Sequence, residues 1–165
     1  MSTDIIMVHK DIAKEFLDAL KITLEEMTTS SGSLPIVVSS DAACRIKATI
    51  EDATKKGGEL FHGGLPAPGL KSTQVIPTVI GGLSTDMDLW KEEAFGPLVG
   101  YRLISDEEEA VKLANSPGYG LSAAVFTRDL RKAFALAKRI ESGYALLNTD
   151  SKNLLTYLAP STSTL

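Results

Sequence analysis

The sequence predicts an α/β domain built on a mainly parallel sheet flanked by helices, and three observations carry that expectation. Residues 98–148 alternate short β-prone runs with stretches of helical periodicity, the pattern of consecutive β-α-β units. Glycines, prolines and capping residues fall between these runs and not inside them. Apolar residues make up 44% of the 165 and charged residues 23%, with no run of five like charges, which is the balance of a globular chain. A chain of this length buries roughly 70% of its unfolded surface in a single core.

The elements follow in order. Residues 4–9 are short and β-prone, so they predict a buried strand. A helix capped by Asp11 comes next, with Ile12, Phe16, Leu20 and Leu24 spaced to share one face. Thr28 to Gly32 is rich in Thr, Ser and Gly and predicts a loop. A second helix starts near Asp41, buries Ala43, Ile46, Ile50 and Ala53, and ends at Lys55-Lys56-Gly57-Gly58, where the lysines suit the negative helix end and a glycine closes it. Gly63 to Gly69 predicts another loop. Gln74 to Ile80 is strand-like, with Pro77 at an edge or strand end because proline donates no ladder hydrogen bond. Beyond Pro97 the pattern predicts strand 98–104, helix 106–114, strand 122–127, helix 129–141 and strand 144–148. Two consecutive β-α-β units imply parallel strands with right-handed crossovers. Ser105 with Glu108 suits a capping box, Asp129 suits a cap, and Leu130, Phe134 and Ala137 mark the buried face of the last helix. The acidic run Asp106-Glu107-Glu108-Glu109 suits a first helical turn and not a cation site.

Composition narrows the function classes. A formal charge of -4 with no basic stripe gives no reason to expect nucleic acid. Cys44 is the only cysteine, so neither an intrachain disulfide nor a cysteine-based zinc cluster is expected, and a reducing, cytoplasmic compartment is. Its helical position between Ala43 and Ile46 predicts a buried, unreactive thiol in spite of the adjacent Arg45. His9 and His62 lie far apart in the chain with no Cys or carboxylate at ligand spacing, so no metal site is expected. His9 reads as a surface or capping histidine, and as a general base only if it faces a pocket. The apolar run Ile5-Ile6-Met7-Val8 stops at His9-Lys10-Asp11, far short of a signal-peptide core or membrane span. No membrane partner is expected.

The residues that carry chemistry lie in Trp90-Lys91-Glu92-Glu93-Ala94-Phe95-Gly96-Pro97. A carboxylate accepts two hydrogen bonds from a vicinal ribose diol, and a nearby aromatic ring packs on a flat nicotinamide. By spacing alone the same residues also read as solvated loop charges and a core phenylalanine. Gly96 and Pro97 turn the chain into the next strand. Neither Gly-x-Gly-x-x-Gly nor Gly-x-x-x-x-Gly-Lys-Ser/Thr occurs, and Gly63-Gly64-Leu65-Pro66-Ala67-Pro68-Gly69 has the wrong spacing for a phosphate cradle.

With Asn115-Ser116-Pro117-Gly118-Tyr119-Gly120-Leu121 and Val125-Phe126-Thr127 following in order, the chain resembles the aldehyde dehydrogenase superfamily from about Met1 to Asn148, nearest the salicylaldehyde and vanillin dehydrogenase branch. The resemblance implies that Glu93 holds the nicotinamide ribose hydroxyls and that Phe95 packs beside the nicotinamide of NAD or NADP. It makes Tyr119 and Gly120 structural. It also likens Met1-Ser2-Thr3-Asp4 to the residues directly after the family's nucleophilic cysteine. The family reaction forms a thiohemiacetal on that cysteine, passes hydride to NAD(P) and hydrolyses the thioester with a Glu-activated water. By that likeness the nucleophile, the oxyanion-hole asparagine, the glutamate base and most of the cofactor domain would precede Met1. The catalytic residues among these 165 are therefore unknown, and the chain alone is expected neither to oxidise aldehydes nor to bind dinucleotide strongly. Residues 1–148 form the catalytic-domain portion. Residues 149–165 diverge from the family's Phe-Gly-Gly continuation, which puts the family's dimer contacts in question, and are expected to be a poorly ordered tail. Two other readings follow. One is a repurposed non-redox isomerase or cyclase using Glu93, His9 or Tyr119; the other is a non-catalytic partner, as a homo-oligomer or docked on a full-length relative, through apolar surface near Phe95 and the first strand.

Overall fold

The computed structural model describes residues 3–30, 34–65, 69 and 71–149. They divide into two compact units with the boundary after Asp106. In the first unit a four-stranded sheet has the order β1-β4-β3-β2, from β1 (Ile5–His9), β2 (Glu59–His62), β3 (Thr78–Gly81) and β4 (Leu98–Ile104). β1 and β3 both pair parallel with β4, and β2 runs antiparallel at the far edge with an irregularity between Leu60 and His62. The helices of this unit are α1 (Ala13–Ser30), α2 (Ser40–Lys55) and the single turn α3 (Asp88–Lys91). The core gathers Val79, Ile80, Leu83, Met87, Leu89, Trp90 and Leu98. β3 is buried at every position, consistent with an inner strand whose first three residues, Thr78, Val79 and Ile80, are β-branched.

Several boundaries differ from expectation, each for a local reason. Residues 10–12 form a 3-10 turn capped by the His9 side chain, which accepts from Asp11 N, so Asp11 is not the cap. That tighter turn rotates Ile12 off the α1 face, where it is exposed, and Ala13 takes the buried place beside half-buried Phe16, Leu20 and Leu24. α1 runs through Ser30, past the Thr28 at which a loop was expected. In α2, capped by Ser39, the buried stripe is Ala42, Ile46, Ile50 and Ala53, with Ala42 in place of Ala43. Cys44 lies two residues from both Ala42 and Ile46, about 200° round the helix, and is exposed instead of buried. The α2 end is as expected: Gly57 has φ +93, the left-handed closing residue. The strand expected from Gln74 shortens to β3 because Pro77 precedes it, and Gln74 instead bridges Ile36. β2 and α3 lie in segments given no element from sequence.

The second unit holds α4 (Glu107–Ala114), β5 (Ser122–Val125), α5 (Leu130–Ala137) and β6 (Tyr144–Leu147), with β5 and β6 paired parallel. The expected β-α-β crossover through α5 is present. The one expected through α4 is not, because β4 already has β1 and β3 on its two edges and offers β5 no ladder. Asp129 caps α5 by accepting from Arg131 N and Lys132 N. α5 stops at Ala137, short of 141, and buries Ala133, while Leu130 and Phe134 are exposed and not buried as expected. The tail expected from Thr149 lies outside the described residues beyond that residue.

Candidate cofactor-binding site

The loop joining α3 to β4 carries Glu93 and Phe95, and both of its ends are fixed. Upstream, Leu89 and Trp90 of α3 are buried, and Asp88 N donates to the Asp52 carboxylate of α2 at 2.8 Å. Met87 makes no side-chain capping bond, so Asp52 supplies the acceptor that the helix start lacks. Lys56 lies 2.6 Å from Asp52 and 3.5 Å from Asp88, and Lys56 and Lys91 both donate to Asp86 O. Burial works to raise Asp52, but the Asp88 N–H and the Lys56 ammonium outweigh it and hold this carboxyl below its ordinary range. Downstream, Leu98 N donates to Gly96 O at 2.8 Å across Pro97, and Pro97 O accepts from Thr78 N at 2.9 Å. This is the sharp turn expected of Gly96-Pro97. A Cβ at Gly96 would collide with Ile46 Cδ1 of α2, so the loop lies directly on that helix.

Between these anchors, Glu92 is exposed, Glu93 half-buried, Ala94 buried and Phe95 68% exposed. Phe95 has φ +46, a left-handed conformation costly for a residue with a Cβ. The alternative of a core phenylalanine is therefore excluded by its exposure. Ala94 N donates to Asp4 Oδ1 at 3.2 Å, and Asp4 O accepts from Gly100 N at 2.9 Å. The reason is topological: β1 and β4 are parallel with Ile5 opposite Gly100, so the residues leading into both strands meet at one end of the sheet. Burial pushes the Asp4 carboxyl above its ordinary range, opposed by the Ala94 N–H and reinforced by the negative charge of Glu93. Sequence reading missed Asp4 as a site residue, since its partner is 90 positions away and no local motif marks the pair.

His9 stands at the opposite end of β1 from Asp4, on the order of 16 Å away for five residues of strand. Its Nε2 lies 2.8 Å from Ser105 O, and since a carbonyl only accepts, Nε2 donates and Nδ1 is left to accept from Asp11 N. Nδ1 thus caps the 3-10 turn and Nε2 holds the backbone at Ser105. Tyr119 belongs to the second unit. There Asn115 donates through Nδ2 to Arg139 O and accepts at Oδ1 from Glu141 N, and Gly143 N donates to Gly120 O. Asn115 therefore closes the turn between α5 and β6, a structural role not assigned from sequence. Glu107 pairs with Lys132 at 2.7 Å and Glu108 with Arg139 at 2.5 Å, so the acidic first turn of α4 is tied to the α5 segment. Among the described residues no group of three or more His, Cys, Asp or Glu can hold a metal ion, and no helix is long and apolar enough to cross a membrane.

The loop thus presents a half-buried glutamate and an exposed ring two residues apart, between two anchored ends. The aldehyde dehydrogenase family matches residues 1–159. Vanillin dehydrogenase of Pseudomonas fluorescens is 37% identical over 153 residues, which are 90% of this chain and 31% of that protein. The crystal structure of succinate-semialdehyde dehydrogenase from Burkholderia pseudomallei superposes with a TM-score of 0.81 at 34% identity, covering 89% of this chain and 31% of that one. Succinic semialdehyde dehydrogenase from Streptococcus pyogenes, solved in complex with NADP+ as the cofactor, gives a TM-score of 0.77 at 28% identity over 88% of this chain and 33% of that one. The chain thus spans about a third of the length of such relatives, and it belongs to the aldehyde dehydrogenase family.

Proposed function

We propose that this stretch of chain supplies the nicotinamide-side wall of an NAD- or NADP-dependent aldehyde oxidation site. Glu93 accepts the ribose hydroxyls and the Phe95 ring lies against the nicotinamide, which when bound takes up the hydride from the substrate. The observation that supports this most is the outward, left-handed setting of an exposed phenylalanine beside a half-buried glutamate. An exposed ring held in a strained backbone gains nothing for the core, and strain of this kind concentrates where ligands bind. Cys44, the only thiol in the 165 residues, points away from the buried face of α2, which gives no support to a nucleophilic role. These residues alone are expected to contact a nicotinamide and not to turn over an aldehyde. Magnetisation transfer between nicotinamide protons and the Phe95 ring, lost in Phe95→Leu, with no aldehyde-dependent cofactor reduction, is the expected result. Aldehyde-dependent reduction by the purified chain would overturn the second part, and absence of transfer the first.

A second reading, association with another copy or with a full-length relative, is supported by one observation: Leu121, Phe126, Leu130 and Phe134 of the second unit are all more than half exposed.

A further inference from the structure

We propose that Asp4 is a positioning residue for the nicotinamide-side loop, fixing the peptide between Glu93 and Phe95 through the Ala94 N–H. This inference rests on the nicotinamide reading above and adds to it a residue outside the Glu-Glu-x-Phe-Gly-Pro run. Three observations converge. Asp4 is itself anchored, because its carbonyl accepts from Gly100 N at 2.9 Å and it leads directly into β1. Its Oδ1 accepts from Ala94 N at 3.2 Å, and Ala94 is buried, so this N–H has lost water and needs a protein acceptor. Ala94 stands between the two ligand-facing residues and directly precedes the left-handed Phe95. A strained conformation persists only where its surroundings over-determine it. On the C-terminal side that constraint comes from Gly96 on Ile46 and from Pro97 O on Thr78 N; on the N-terminal side it comes from Asp4.

The required property is an acceptor oxygen, not a charge. Burial first, and the neighbouring Glu93 charge to a lesser degree, disfavour the ionised form of the Asp4 carboxyl. Asparagine keeps the acceptor and drops the charge; alanine loses both.

The test uses the full chain and two readouts, amide hydrogen exchange residue by residue and titration with NAD. Asp4→Ala is expected to speed exchange at Ala94 by roughly tenfold, the effect of leaving a buried N–H without its acceptor, while Trp90 and Ile80 stay protected. NAD affinity should fall in Asp4→Ala and recover in Asp4→Asn together with Ala94 protection. A general loss of structure would speed all three amides alike and would overturn the positioning role, as would unchanged Ala94 exchange, or faster exchange with unaltered NAD affinity. If Asp4→Ala fails to fold, the unmodified chain still decides the contact: the Ala94 amide shift should follow the ionisation of Asp4, and an invariant shift overturns the proposal. No NAD binding by the unmodified chain removes the nicotinamide reading itself, whereas NAD binding with Ala94 indifferent to Asp4 removes only this inference.

Discussion

Phe95 and Gly96 show how individual residues set the site against the fold. The Phe95 ring is mostly exposed and its backbone is left-handed, so Phe95→Gly should leave stability within about 1 kcal/mol of the parent, relief of strain offsetting the freer unfolded chain. Chemical denaturation checks this, and a large loss would mean that the ring belongs to the core. Gly96→Ala is the opposite case. Its Cβ would enter space held by Ile46, which is 2% exposed and cannot turn away, so overpacking should cost about 1–3 kcal/mol. Combining it with Ile46→Val, which removes the colliding Cδ1, should return part of that loss in a double-mutant cycle; strict additivity would show the two residues not to touch. For Asp4 the folded state holds the proton more tightly than the unfolded chain, whose carboxyl has the ordinary value of 3.8. Its contribution therefore favours the fold below 3.8 and is lost as pH rises through the raised folded value. Asp4→Asn should remove that loss and be no less stable than the parent at neutral pH.

Among the elements, α3 is the one on which the site most depends and the one least visible in sequence. Four residues make too short a helix to hold by propensity, and it persists because Leu89 and Trp90 are buried and because Asp52 of α2 caps it from outside. Asp52→Ala should therefore cost about 1–2 kcal/mol, the worth of a helix cap, and loosen the Glu93 segment that follows. Its pH dependence is opposite in sign to that of Asp4: the folded carboxyl lies below 3.8, so its stabilisation is present above 3.8 and fades as pH falls through the folded value. Thermal melts of parent and Asp52→Ala should converge in acid; a difference that persisted there would contradict the cap. Elements with a strong period of their own were legible: α2 with its Gly57 terminus, β4 at its full 98–104 extent, and the Asp129 cap. Two missed features depended on partners distant in sequence: the occupied edges of β4 exclude the first crossover, and Asp4 meets Ala94 only through strand register. The displacement of Ile12 is local, set by the 3-10 turn that the His9 side chain caps. The roles proposed for Glu93 and Phe95 rest in sequence on family resemblance alone, since their spacing also suited an ordinary loop.

At the scale of the whole molecule, two compact units each leave apolar surface exposed, Phe95 and Leu103 in the first and Leu121, Phe126, Leu130 and Phe134 in the second. Such surface favours self-association, so sedimentation should show mass rising with concentration, and Phe126→Ser with Phe134→Ser should shift the chain toward monomer. A concentration-independent monomer would remove the association reading. The central claim is that the loop after α3 contacts a nicotinamide cofactor. Isothermal titration of the chain with NAD and with NADP, repeated on Glu93→Gln, tests it most directly. Saturable binding that Glu93→Gln weakens is the expected result, because the substitution removes the charge and one of the two equivalent acceptors for the ribose diol. No binding of either dinucleotide, or binding indifferent to Glu93, would contradict it.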